Sequence, residues 1–383
     1  MHYLDNASTT QVAPAVANAV QDALCSQWGN PSSLYRFGMQ AEAVMQEARS
    51  TLAKALGAQP GEVFFTACGS EANNIALLGA ARARTGWAKQ LVCTGYEHPS
   101  VLSPLQMLAE REGFLLTVVA PGLDGRVNTE ALVSAVQSDT AVVSAMHVNN
   151  ETGAVLDVAA LAAAVKKKNP RCFVHIDGVQ GFCKLPLALG RTAIDGYAVS
   201  GHKLHAPKGI GALYLRGGFP NGSAVLPPFV GGGQESGLRP GTQNTAYMAG
   251  FAAAVRQATA RLPETARTVA TLRARLLEGL SSLDGIRLHS PEDGYAGILF
   301  FSMPKGLRSQ VMLNLLDEEF DVCVSSGSAC SGGAPSHTLA AMGVPEALAD
   351  AALRVSFCGE STEADVDTLL AGLRACVHRL ARK

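Results

Sequence analysis

Cys330 lies in the run Ser325-Ser326-Gly327-Ser328-Ala329-Cys330-Ser331-Gly332-Gly333, which has no apolar side chain large enough to bury a thiol. A structural cysteine behaves as a small buried hydrophobe. Among small residues it reads instead as a nucleophile on a loop, able to react at a site and carry its cargo away. A free thiol is only slightly ionised near neutral pH, so its surroundings must activate it. The sequence does not show the activator. A second set of polar residues follows short apolar runs: Gly69-Ser70, Glu97-His98, Asn149-Asn150-Glu151, Asp177 with Gln180, and Ser200-Gly201-His202-Lys203.

Each of these has a plain structural alternative. Gly69-Ser70 serves equally as a helix cap, and Asp177 as a turn cap. His98, before Pro99, fits a hydrogen-bonded loop histidine. Lys203 has small, aromatic or apolar neighbours, a poor setting for a solvated charge. Together they match one chemistry, that of pyridoxal 5'-phosphate. Lys203 supplies the amine for a Schiff base with the cofactor aldehyde, and Asp177 keeps the pyridinium nitrogen protonated. His98 can stack on the ring, while backbone N–H groups and hydroxyls hold the phosphate. There is no P-loop, GxGxxG or HExxH motif. His202 and His205 resemble a metal pair only weakly, since no carboxylate or cysteine lies near them in sequence. The stretch Gly231-Gly232-Gly233-Gln234-Glu235 to Arg239-Pro240-Gly241-Thr242 reads as a flexible loop, or as backbone that approaches a ligand or second subunit closely.

The elements that position these residues follow an α/β alternation. A helix from Ala41 to Leu56 ends at Gly57, and another starts near Glu71. Strands are expected at Val63 to Thr66, Leu91 to Thr94, Leu115 to Val119, Ala141 to Met146, Phe173 to Ile176, Gly196 to Val199 and Ile210 to Leu215. Most are continuous apolar runs, as in a largely parallel sheet covered on both faces. The polar clusters then fall at its carboxyl edge, where open α/β folds bind ligands. From Tyr247 to Leu283 the pattern is helical and expected to break near Pro263. Beyond it, strand-like pieces at Gly297 to Phe301, Val322 to Ser325 and Leu353 to Phe357 with two helices suggest a smaller α+β domain. The expected division is a large domain over 13–255, and a small one formed by 1–12 and 256–383 that carries the cysteine loop.

Composition narrows the partners. Thirty-one basic and 32 acidic residues leave a net charge of −1. That argues against nucleic acid or an anionic membrane held by bulk charge. Lys166-Lys167-Lys168 reads as a solvated helix end. Nine cysteines, an odd number without a CxxC pair, fit reduced thiols in the cytoplasm rather than disulfides or zinc. Cys93, Cys172 and Cys323, in apolar runs, read as core. No eighteen-residue apolar stretch and no signal-peptide pattern occurs.

The blocks Tyr3 to Thr10, Gly29 to Gly38, Phe65 to Asn74, Glu97 to Val101, Asn149 to Gly153, His175 to Gln180, Ser200 to Gly211, Gly231 to Asn244 and the cysteine loop run through the whole chain. In that order, ending in SSGSAC, they resemble the cysteine desulfurases. These form part of the aminotransferase class V branch of fold-type-I pyridoxal-phosphate enzymes. The resemblance implies that Lys203 carries the cofactor, Asp177 pairs with its pyridinium and His98 stacks and moves protons. It places Asn150 and Gln180 at the 3-hydroxyl side, and Gly69, Ser70, Ser200 and His202 at the phosphate. Thr242 would come from the other subunit of a homodimer, and Arg354 would clamp the carboxylate of L-cysteine. Cys330 would take the sulfur as a persulfide and pass it to an acceptor protein, an iron–sulfur scaffold or a thiolation enzyme. It could transiently ligate an iron–sulfur cluster there. The sequence departs from the pattern at Ala67-Cys68, at Cys358 (where glycine is commoner), and in a slightly short stretch after Cys330. The alternatives are an aminotransferase or selenocysteine lyase on the same scaffold, or a non-catalytic sulfur-carrier or regulatory subunit.

Overall fold

The computed structural model describes residues 1–220, 225–326 and 336–380. Among them the strands are β1 (His2–Tyr3), β2 (Val63–Thr66), β3 (Gln90–Thr94), β4 (Leu115–Val119), β5 (Thr140–Met146), β6 (Phe173–Asp177), β7 (Gly196–Ser200) and β8 (Gly211–Leu215). Toward the C-terminus follow β9 (Arg287–Leu288), β10 (Ile298–Ser302), β11 (Val322–Cys323), β12 (Ser325–Ser326) and β13 (Ala352–Ser356). The helices are α1 (Pro14–Ser26), α2 (Arg36–Leu56), α3 (Gly69–Arg82), α4 (Pro99–Glu112), α5 (Thr129–Ala135) and α6 (Val158–Lys168). After them come α7 (Thr245–Ser281), α8 (Ser309–Phe320), α9 (His337–Ala341), α10 (Glu346–Ala349) and α11 (Glu363–Leu380).

The main sheet has the order β2-β8-β7-β6-β5-β3-β4. Neighbours pair in parallel except at β8, which runs antiparallel to both β2 and β7. Its side chains alternate between two cores, as strand geometry requires. Phe65, Val92, Tyr197 and Tyr214 enter the core shared with α2, α6 and α7, whereas Phe64, Leu91, Ala198 and Leu213 face α3 and α4. Coverage on both faces explains the unbroken apolar runs. Edge strand β4 is the exception, with Leu115 and Val118 exposed.

A smaller sheet, β12-β13-β10-β9, packs its apolar face against α8, α11 and the second half of α7. Strand β1 pairs in parallel with β11, and Asp5 bridges to Ser356, so the N-terminal residues lie against this C-terminal unit. Two expectations change here. The run Val322 to Ser325 is not one strand: Val322–Cys323 pairs with β1, and Ser325–Ser326 pairs with β13. Helix α7 does not break at Pro263 but continues for 37 residues. Proline removes a helical hydrogen bond. Here Phe251 and Val255 anchor one half in the main core, and Val269 and Leu272 anchor the other in the small one. The lysine run is also less solvated than expected. Lys166 pairs with Asp195 at 2.6 Å, and Lys168 donates to the carbonyls of Val133 and Ser134.

The glycine-rich segment after β8 is pinned by Glu235, whose carboxylate takes both prongs of Arg49 at 2.8 Å and the Phe65 N–H at 2.8 Å. The two side chains are 1% and 11% exposed. Removing the guanidinium strands a buried carboxylate. Arg49→Met should therefore lower stability by about 3–5 kcal/mol, read as a shift in the urea midpoint. Adding Glu235→Gln to the same chain should restore part of it.

Candidate active site

The carboxyl ends of β2, β3, β5, β6 and β7 point to one side of the sheet, and the polar clusters stand there around a cavity of about 240 Å³. Gly69, Ser70, His98, Asn150, Asp177, Gln180, Ser200, His202, Lys203 and Arg354 all line it. Two expected site residues are not brought in. Thr242 is exposed and does not line the cavity. Cys330 lies outside the described residues, and with it the suggested iron–sulfur ligation.

Asp177 ends β6 and is 2% exposed. Its carboxylate accepts from Asn73 Nδ2 and the Val179 N–H, both at 3.0 Å. The same Asn73 amide donates to Ser100 Oγ at 2.9 Å, and that hydroxyl meets His98 Nδ1 at 2.8 Å. His98 Nδ1 also accepts the Ser100 N–H (3.1 Å), so it caps α4. A ring nitrogen that accepts from an N–H carries no proton, which places the proton of the neutral imidazole on Nε2. Burial pulls the His98 pKa down, against the opposing pull of Asp177. The helix-capping and cofactor readings of His98 are thus compatible. Asn73 and Ser100 were not singled out by the sequence, although both lie inside the quoted blocks.

At the other end of the cavity, α3 opens with Gly69 and Ser70, whose N–H groups belong to the unpaired first turn of a helix. A Cβ at Gly69 would sit 2.6 Å from Val179 Cγ2 and 3.3 Å from Ser200 Cβ, so only glycine lets the backbone approach there. Cys68 caps the helix, its Sγ accepting the Glu71 N–H at 3.4 Å. The His202 ring meets Thr9 Oγ1 at 3.2 Å, and burial first, then Lys203, hold its pKa down to about 4.

Lys203 follows β7 in a short turn, and its Nζ donates to the carbonyls of Ala7 (2.7 Å) and Ser8. Gln180 donates to the Ala7 carbonyl and accepts from Lys184 Nζ, each at 2.8 Å. Burial lowers the Lys184 pKa to about 7, and nearby Lys203 adds to the effect. Arg354 comes from the small sheet and is 3% exposed. It bonds Asp5 and Ser8 Oγ at 2.7 Å and the Asn150 carbonyl at 3.0 Å, leaving its Nε without a partner. The N-terminal residues Asp5, Ala7, Ser8 and Thr9 therefore belong to the site, which their block in the sequence did not specify residue by residue.

Comparison with known proteins gives this geometry a family. The aminotransferase class-V family model matches residues 2–369. The chain belongs to the aminotransferase class-V family. It is 38% identical to "IscS-like cysteine desulfurase" of Mycobacterium tuberculosis, covering 100% of this chain and 98% of that one. It is 36% identical to "Cysteine desulfurase 2" of Trichormus variabilis over 99% of this chain and 93% of that protein. Among solved structures, a "NIFS-LIKE PROTEIN" superposes with a TM-score of 0.90 at 35% identity, covering 100% of this chain and 99% of that one.

This branch of the class-V family uses pyridoxal 5'-phosphate, and the cavity suits it. Ser200 Oγ and Asn150 Oδ1 are buried, line the cavity and lack a protein partner. Buried polar atoms of that kind call for a ligand. A helix N-terminus and a bare glycine fit the phosphate, and a buried carboxylate fits the ring nitrogen. Gly69→Ala should therefore weaken cofactor binding at least ten-fold, measured by reconstituting apo-protein with pyridoxal phosphate. Adding Val179→Ala should recover part of the affinity.

Proposed function

We propose that the chain is a pyridoxal-phosphate-dependent cysteine desulfurase that converts L-cysteine to L-alanine and leaves the sulfur on Cys330 as a persulfide. One observation supports the reading: the described residues on both sides of the Cys330 segment bond Arg354, which lines the cavity, or the immediate neighbours of the lining residues His98 and Asn150. Ser325 pairs with Arg354 across β12 and β13. On the return, Ser336 and Thr338 donate to the buried Glu151 carboxylate, and His337 Nε2 meets the Glu97 carbonyl beside His98.

When bound, pyridoxal phosphate supplies an aldehyde for the substrate amine and a ring that draws electrons from the α-carbon. Asp177, whose carboxylate is fixed by Asn73 and the Val179 N–H, would face the ring nitrogen. Arg354 orients the substrate carboxylate while Asp5 balances its charge. Lys203 Nζ moves the α-proton, and His98, neutral with its proton on Nε2, serves as a second proton carrier. Cys330 thiolate attacks the substrate sulfur. The Cβ–S bond breaks, its electron pair stays with carbon, and protonation gives alanine and Cys330–S–SH. The persulfide sulfur then passes to an acceptor protein, an iron–sulfur scaffold or a thiolation enzyme.

A homodimer with Thr242 supplied across its interface belongs to the same proposal. Leu34 and Val230 are each 94% exposed, and Trp28, Tyr35, Met39 and Phe229 are exposed near the glycine-rich segment that carries Thr242. Apolar surface of this kind marks an association site. The division into a unit over 13–255 and one formed by 1–12 and 256–383 is supported by the β1–β11 pairing. Among the described residues no helix is long and apolar enough to cross a membrane. A persulfide carrier with reduced thiols suits the cytoplasm.

Cys330→Ser should keep the visible cofactor band and lose alanine and sulfide formation from L-cysteine by about a thousand-fold or more. Undiminished turnover would move the function to an aminotransferase or a selenocysteine lyase. Failure to take up cofactor at all would favour a non-catalytic subunit. For the dimer, co-expression of Lys203→Ala and Thr242→Ala chains, each inactive alone, should restore about a quarter of wild-type activity. Half the dimers would then be hybrids with one intact site. Activity no higher than that of the separate variants would place Thr242 elsewhere.

A further inference from the structure

Two residues beyond Lys203 the backbone turns left-handed at His205 (φ 61°), an uncommon conformation for a residue with a side chain. Two contacts hold it there. Its N–H donates to Thr10 Oγ1 at 2.7 Å, and its ring Nδ1 meets the Gln11 carbonyl at 2.9 Å. A carbonyl only accepts, so Nδ1 bears the proton and the lone pair lies on Nε2. Nε2 stands 3.4 Å from Glu360 Oε2. Cys358, at the position where the sequence departs from its family's glycine, completes the group. One ligand atom from each of His205, Cys358 and Glu360 falls within 4.8 Å of the other two. In sequence the pair His202 and His205 had neither a cysteine nor a carboxylate nearby. Folding supplies both to His205 from the turn after β13, while His202 stays with Thr9.

We propose that His205, Cys358 and Glu360 bind one zinc ion on the side of Lys203 away from Asp177. An imidazole, a thiolate and a carboxylate with one position left for water is a ligand set zinc accepts. Bonds of about 2.0–2.3 Å in a tetrahedral set hold ligand atoms roughly 3.3–3.8 Å apart, so side-chain rotation closes the site. The Nδ1–H bond to Gln11 is the outer contact that commonly orients a ligating histidine. Arg261 pairs with Glu360 Oε1 at 2.6 Å and leaves Oε2, the oxygen nearer His205, for the ion. On binding, the Cys358 thiol releases its proton to solvent, and the two anionic ligands neutralise the ion's charge. His205, Cys358, Glu360 and Lys203 line one further cavity, so the ion would tie the turn that carries Lys203 to the C-terminal unit.

The test uses full-length holoenzyme carrying Cys330→Ser, which removes the loop thiol as a competing ligand. After chelator treatment the protein is dialysed against zinc chloride and its metal content measured. The expected result is one tightly held zinc per chain, with affinity reduced at least ten-fold by Cys358→Ser and separately by Glu360→Gln. Bound zinc should also shield Cys358 from iodoacetamide, read by peptide mass spectrometry. The proposal is overturned if no zinc is retained, if both variants bind it unchanged, or if Cys358 alkylates equally fast with and without the ion.

Discussion

The N-terminal segment from Asp5 to Thr10, which includes a turn over residues 6–8, is the part on which the rest of the site depends. Arg354 is neutralised by Asp5, and Lys203 and Gln180 both bond the Ala7 carbonyl. Thr9 meets the His202 ring, and the Thr10 hydroxyl donates to the His202 carbonyl while accepting the His205 N–H. These partners come from the loop after β6, from the turn after β7 and from the small sheet. A buried guanidinium without its carboxylate would cost several kcal/mol. The Asp5–Arg354 pair therefore ties the N-terminal segment to the small sheet, and the Ala7 and Ser8 carbonyls of the same segment hold the Lys203 amine.

Burial then sets the protonation states behind the chemistry. His98 and His202 are both pushed down, so each stays neutral near pH 7 and can accept or pass a proton without an added charge. Glu97, immediately before His98, is driven the other way, up to about 8, by complete burial. Beneath the site, His175 on β6 is held down to about 3 by burial and bonds Ser144 at 2.8 Å. The other acidic and basic side chains at the cavity are Asp177, Lys203 and Arg354, the last paired with Asp5. They are the ones that suit a ring nitrogen, an amine and a carboxylate.

Much of this was legible in the sequence because it is local. Apolar runs such as Leu91-Val92-Cys93 read as strands covered on both faces, and a polar residue at the end of each parallel strand then lies at the carboxyl edge. Asp177, Lys203 and His98 were therefore placed by pattern alone. The relays were not legible. Nothing in the spacing of Asn73, Ser100 and Asp177 says that one amide joins a carboxylate to a hydroxyl; that follows from α3 and α4 packing together over the sheet. Pro263 misled for the complementary reason: a local helix-breaking preference lost to two cores gripping the same helix. His205 and Cys358 stayed apart on the page because the contact between them is made only when the C-terminal unit docks beside Lys203.

The same burial explains why a chain with many thiols can assign sulfur chemistry to one of them. Cys172 and Cys183 are pushed up to about 12 and Cys376 to about 11, and Cys93 lies higher still, all chiefly by loss of hydration. Cys323 and Cys358 are raised as well, with burial again the leading cause. A thiolate is the species that attacks sulfur, so these positions are silent toward a persulfide even where they line a cavity. Cys330 lies outside the described residues, but its sequence neighbours are all small, and the described residues on either side bond Arg354, Glu151 and Glu97. The fully buried thiols Cys93, Cys172 and Cys376 serve as packing. Burial makes ionisation of Cys358 costly, and a bound cation would offset that cost.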